Sequence, residues 1–310
     1  MPPSASRPGL AYGGGAYLMW GLFPLLMAAL APAGAVEITA HRAVWSLVVC
    51  VALVAMVRGW RALGAVLRDP RLLATFALAA LLGGANWLIY VYAVGSGHVN
   101  SASLGYYINP LFTVLLGVLV LGERLRRLQV VALGIAAAAV LVIGLGMGEF
   151  PWISLALACT FGLYGLVKKR AGAAVDAVTG LTVETMVLAP LGLIAIVVIG
   201  DSGTFGARGE DGLGLSHDLL MMSTGIFTAG ALLLFAAGAR RLPLFVMGML
   251  QYIAPTLMFA LAVWHFGEPM PASRWAGFVL VWLALGVISW DAWRARPRRG
   301  VAQVEPAEPV

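Results

Sequence analysis

The sequence predicts an all-α integral membrane protein of ten transmembrane helices. Three observations carry that expectation. First, 61% of the 310 residues are hydrophobic and only 11% are charged, whereas a soluble domain carries roughly 25% charge and needs a polar coat over its core. Second, apolar runs of about 20 residues, the length that crosses a bilayer as a helix, recur along the chain. Third, the cations fall on alternate connections, and a miscounted span would break that alternation. Composition thus excludes a water-soluble enzyme and a disordered chain, and ten spans leave no room for a separate soluble domain.

The runs fall at 9–31, 36–57, 72–94, 99–121, 128–147, 150–167, 177–199, 217–239, 244–266 and 273–293. In hydrocarbon each run must satisfy its own backbone, so each is read as a helix. The first ends in Ala31-Pro32-Ala33-Gly34-Ala35, which resembles a signal-peptidase site. The stretch is too long for a signal sequence and is read as an uncleaved span. Of the 20 Lys and Arg, 17 fall on one side. These are Arg7, the group from Arg58 to Arg71, Arg124, Arg126 and Arg127, Lys168 to Arg170, Arg240 and Arg241, and the group from Arg294 to Arg299. Both termini are therefore expected in the cytoplasm. Residues 1–8 make a short N-terminal tail. Residues 294–310 make a Pro/Glu-rich tail expected to be disordered. Cys50 and Cys159 lie inside apolar runs and read as packing residues.

The chain repeats itself. Ser103-Leu-Gly-Tyr-Tyr-Ile-Asn-Pro110 aligns with Gly248-Met-Leu-Gln-Tyr-Ile-Ala-Pro255 at an offset of 145. Gly122-Glu123 aligns with Gly267-Glu268 at the same offset. An odd number of spans per copy turns the second copy upside down. Residues 9–147 and 150–293 therefore read as two inverted five-helix repeats, with a site near the midplane between them.

Polar groups inside the spans nominate that site. Pro110 and Pro255 each free the carbonyl four residues back, which belongs to Tyr106 and Gln251 respectively, and predict helix kinks. Ser103, Tyr106/Tyr107 and Pro110 share one face, as do Gly248, Gln251/Tyr252 and Pro255. They read either as two facing walls of a cavity or as kinks that only shape packing. Glu37 and His41 lie one turn apart near the outer end of span two. His41 is either a proton-coupling group or a plain hydrogen-bonding residue. Arg42 lies deeper, where an unpaired charge is costly. It reads as an anion partner or gate, or as half of a structural ion pair with Glu184. Asn86, Trp87 and Tyr90 suit a flat amphipathic solute, though an Asn also serves to hold helices together. Trp20 and Tyr164 occupy comparable Trp-Gly and Tyr-Gly settings in the two halves. His98, His217 and His265 have no companion ligands at metal spacing. Nucleophile-elbow, zinc-protease and Walker motifs are absent. No catalytic residue, metal, cofactor or nucleic-acid partner is expected.

These motifs resemble the RarD-type subgroup of the EamA branch of the drug/metabolite transporter superfamily. The likeness rests on Glu37-x-x-x-His41-Arg42-x-x-Trp45-Ser46, Gly83-Gly84-x-Asn86-Trp87-Leu88, the segment from Ser103 to Leu111, Leu121-Gly122-Glu123-Arg124, Tyr164-Gly165-Leu166-Val167, Thr179-Gly180-x-x-x-Glu184-Thr185 and the segment from Gln251 to Phe259. Ala85 and Ala40 depart from the subgroup pattern. The resemblance implies that spans 1–4 and 6–9 surround a central cavity, with spans 5 and 10 peripheral. It also implies a bacterial inner-membrane efflux or permease role for small organic solutes such as amphenicol drugs, amino acids or related metabolites. The combined reading is a secondary transporter working by alternating access. Asn86, Trp87, Tyr90, Tyr106, Tyr107, Asn109, Gln251 and Tyr252 would contact solute, and His41, Arg42, Glu184 and Glu37 would be its charged or titratable elements. The rivals are a facilitated uniporter or exit channel, an intramembrane enzyme, and a sensor or assembly protein. A monomer in the lipid bilayer is favoured, although Gly134-x-x-x-Ala138 would suit a dimer.

Overall fold

A computed structural model describes residues 7–121, 125–147, 150–171, 175–206, 213–239, 241–242 and 244–294. The described residues form helices and connections with no strand. In chain order these are α1 (Arg7–Ala29), α2 (Ala35–Met56), α3 (Trp60–Arg68), α4 (Pro70–Gly95), α5 (Val99–Leu121), α6 (Arg127–Met147), α7 (Trp152–Ala171), α8 (Ala177–Ile199), α9 (Gly214–Ala239), α10 (Leu244–Leu250), α11 (Ile253–Ala260) and α12 (Ala272–Arg294). Eight of them are long and apolar enough to cross a membrane, and Trp152–Lys168 and Ile253–His265 are shorter apolar helices.

Local chemistry sets the ends. Asp69 caps α4, accepting from the Arg71 and Leu72 amides at 2.9 and 3.2 Å, with Pro70 in the first turn where its missing N–H costs nothing. Asp176 caps α8, accepting from the Val178 and Thr179 amides at 3.0 Å each. The first helix starts two residues earlier than the run predicted, and the sixth apolar run becomes a full helix to Ala171.

Two elements depart from the sequence reading. The basic stretch after the second span is not all connection. It contains α3, an amphipathic helix that buries Leu63 and Val66 against Phe76, Val54 and Val183 and leaves Arg61, Arg68 and Trp60 exposed. A hydropathy window averages its two faces and misses it. The ninth run is not one kinked helix. It breaks at Gln251-Tyr252 into α10 and α11, then ends in a π turn at Leu261–His265. The break falls where Pro255 leaves the Gln251 carbonyl without its amide. The matched Pro110 lies within α5, which continues through it.

Packing then sets the architecture. α1 lies on α9 and α11, α2 on α8 and α9, α4 on α7 and α8, and α5 on α7 and α11. α6 and α12 pack mainly on each other and meet the rest through α5. Close approach needs glycine in places. A Cβ on Gly225 of α9 would sit 2.4 Å from the Trp45 carbonyl carbon of α2, so these two backbones touch because no side chain separates them.

Candidate functional site

Arg42 lies at the centre. Its surface is 5% exposed, seven residues into α2. The guanidinium lies over two rings, 4.1 Å from the Trp87 centroid and 4.7 Å from that of Phe23. Its Nε donates to Thr228 Oγ1 at 2.9 Å, and Thr228 Oγ1 in turn donates to the Thr224 carbonyl at 2.8 Å. Tyr90 and Tyr106 stand next to this group, with their rings 6.2 Å apart. Tyr106 Oη donates to Asn86 Oδ1 at 3.1 Å. The Asn86 amide donates to Thr160 Oγ1 at 2.9 Å and the Leu157 carbonyl at 3.2 Å, which fixes its orientation. Tyr90 Oη is sealed and has no hydrogen-bond partner. Six helices, α1, α2, α4, α5, α7 and α9, thus supply one polar, aromatic cluster. Cation–π contacts return about 2 kcal/mol at a desolvated site, against the several kcal/mol that burying an ion costs.

The charged residues singled out in the sequence do not gather there. Glu184 does not pair with Arg42, which corrects that expectation. Glu184 instead takes Lys168 Nζ at 2.5 Å and the Tyr164 hydroxyl at 3.1 Å. Depth alone made the Arg42 pairing plausible. Lys168 is not loop charge but the end of α7, with its chain drawn inward over Phe76 and Tyr164. Glu37 and His41 meet the segment after α8. Glu37 Oε1 accepts from the Thr204 amide at 2.6 Å, the Thr204 hydroxyl at 2.9 Å and the Phe205 amide at 3.0 Å. His41 stacks on Phe205 at 4.4 Å. His217 joins through Thr204 Oγ1 at 2.9 Å, and Asp218 accepts from the Gly206 amide at 2.7 Å. The segment is strapped over the predicted outer ends of α2 and α9.

The two proline-bearing walls do not face each other across a gap. They touch, because Ser103 Oγ donates to the Pro255 carbonyl at 2.7 Å and the Tyr107 and Thr256 hydroxyls lie 2.7 Å apart. Tyr107 meets Phe278 and Trp282 of α12 edge-on. Tyr252 packs into that same cluster and interacts with Ser289 and Gln251. Asn109 is half-buried with its Oδ1 unpartnered. Trp20 packs with Tyr17 and Phe235 on the α1–α9 side. Glu123 lies outside the described residues. Its repeat counterpart Glu268 caps α5, accepting from the Val99 amide and, at 2.9 Å, the Asn100 amide. A cavity of about 60 Å³ among His98, Asn100, Trp152 and Arg274 has room for water and not for a drug-sized solute.

Sequence reasoning missed Phe23, Thr228, Lys168 and the Thr204–His217 strap. Thr224 and Thr228, one turn apart in an apolar run, were a usable signal. Phe23 left none. Among the described residues no cluster of metal-ligating side chains occurs.

Apolar helices around a polar, aromatic centre define a multi-pass membrane protein. Residues 7–145 and 150–290 each match the EamA-like transporter family. The chain is 49% identical over 307 residues to protein RarD of Streptomyces exfoliatus, covering 98% of this chain and 95% of that one. It is 35% identical to the chloramphenicol-sensitive protein RarD of Pseudomonas aeruginosa, over 88% of this chain and 91% of that one. A solved crystal structure shares the fold with a TM-score of 0.61 at 20% identity, covering 94% of this chain and 100% of the other. The chain belongs to the EamA-like transporter family, in its RarD-type subgroup, and is a transporter rather than an enzyme.

Proposed function

We propose that this protein is a secondary transporter of the bacterial cytoplasmic membrane that moves small organic solutes by alternating access between two inverted halves, residues 9–147 and 150–293. Ten spans with both termini cytoplasmic complete the reading. The observation that carries it is the cluster around Arg42, Trp87, Tyr90 and Tyr106 with Thr228 from the other half. Polarity at that depth is costly and marks a solute path by default. The repeat supports it further. Helix starts pair as Arg7 with Trp152, Ala35 with Ala177, Pro70 with Gly214, Val99 with Leu244 and Arg127 with Ala272, which follows the sequence offset to within three residues. The seam at Ser103–Pro255 and Tyr107–Thr256 joins equivalent spans of the two halves, where a rocking motion would act.

The solute class stays broad at this level: amphenicols, as the name of the Pseudomonas relative suggests, amino acids or related metabolites. Purified protein in proteoliposomes, given a panel of labelled amphenicols and amino acids, tests the reading. Flux above protein-free vesicles is expected, and Asn86→Leu and Tyr106→Phe are expected to reduce it while the variants remain monodisperse. Unchanged flux in both variants contradicts the site, and no flux for any solute contradicts the function.

A second reading, facilitated exit without ion coupling, has one specific support. Glu184 is ion-paired with Lys168 and accepts from Tyr164 rather than standing free. Flux that responds to an imposed gradient between about pH 5.5 and 8, the range in which histidine titrates, would restore coupling.

A further inference from the structure

We infer that the transported solute is an organic anion carrying a carboxylate beside a flat ring, and that Arg42 is the residue that holds the carboxylate. The inference rests on the transporter reading above and deepens it. Two rings lie against the guanidinium, Trp87 at 4.1 Å and Phe23 at 4.7 Å. One edge is taken, because Nε donates to Thr228. Nη1 and Nη2 make no hydrogen bond to any described residue. That free edge carries two parallel N–H groups in one plane, which match the two oxygens of a carboxylate.

Charge balance points the same way. Among the described residues no carboxylate pairs with Arg42: Glu184 is held by Lys168, and Glu37 by Thr204 and Phe205. Aromatic faces and one hydroxyl recover only part of the hydration that a buried cation gives up. A cation left in that state is completed by an anion that comes and goes. Beside it the Tyr90 and Tyr106 rings, with centroids 6.2 Å apart, offer a stacking wall. A positively charged solute would meet Arg42 unscreened, so cations are the class the site rejects.

The test uses three probes that share one ring and differ in charge: 3-phenylpropanoate, 3-phenylpropanamide and 3-phenylpropylammonium. Thermal unfolding of the purified full chain is read with each, and their competition against flux of the panel solutes is read in proteoliposomes. The carboxylate is expected to raise the melting temperature and to compete, and the ammonium to do neither. Arg42→Gln is expected to weaken carboxylate binding by about 10- to 100-fold, the worth of a charge-assisted hydrogen bond. Arg42→Lys, which keeps charge but loses the fork, is expected to fall between. Equal effects of all three probes on the wild-type protein, or preference for the ammonium, overturn the inference without any variant having to fold. Flux confined to neutral or cationic solutes overturns it while the transporter reading stands. Flux of nothing removes both.

Discussion

At the scale of the residue, three charged side chains within the helices have different solutions to burial. Arg42 uses rings and a hydroxyl, Glu184 a lysine and a tyrosine, and Glu37 backbone amides. The Lys168–Glu184 contact makes a testable case. Glu184 is 5% exposed, so Lys168→Met strands a buried carboxylate and is expected to cost about 3 kcal/mol. Lys168→Met combined with Glu184→Gln is expected to cost less than the two single changes added, as read by thermal unfolding in detergent. Additive losses would mean the pair is not coupled. Asp176, which caps α8 just before the apolar span that starts at Ala177, tests pH linkage. Burial raises its pKa, but hydrogen bonds from Thr179 and Val178 outweigh this and hold it below its ordinary value of 3.8. A carboxylate with a depressed folded-state pKa stabilises fully above its unfolded value and loses that contribution as pH falls through the folded one. Asp176→Ala is therefore expected to cost about 1 kcal/mol at neutral pH. The gap to wild type should close below about pH 3.8. A pH-independent gap would contradict the capping account.

At the scale of the element, close helix contacts set the position of the central cluster. Gly225 puts the α9 backbone on that of α2 one turn before Thr228, the partner of Arg42. Gly225→Ala must separate these helices and is expected to cost about 1–3 kcal/mol and to reduce flux. Gly134→Ala on α6 meets nothing within 4 Å and is expected to be neutral or slightly stabilising. Equal stability of the two variants would contradict the packing account. Helices were the legible part of this fold, because a bilayer offers an apolar chain few other structures. The failures have physical reasons. α3 is too amphipathic for a hydropathy window, and the break before Pro255 depends on how its neighbours accept the freed Gln251 carbonyl, since the matched Pro110 sits within an unbroken α5.

At the scale of the whole molecule, the site was half legible. Asn86, Trp87, Tyr90, Tyr106 and Arg42 were found from residue type and depth, and the structure brings them together. Partners across the bundle were not legible. Sequence spacing tells which residues share a helix face but not which face of another helix meets it. Depth therefore offers Glu184 as one candidate partner for Arg42, and the partner the structure gives is Thr228. The repeated Gly-Glu makes the same point from the other side. Its value lies in a contact 169 residues away, where Glu268 caps α5 at Val99. α5 and α11 meet through Ser103 and Pro255, and on the proposed inverted-repeat reading the moving boundary lies there.

The central claim is that this boundary rocks around a single solute site, and exchange kinetics test it most directly. Proteoliposomes are loaded with labelled solute, and its exit is timed with and without unlabelled solute outside. A carrier that must return through the same site is expected to release label faster when solute waits on the far side. Release that ignores external solute would contradict alternating access and leave a channel in its place.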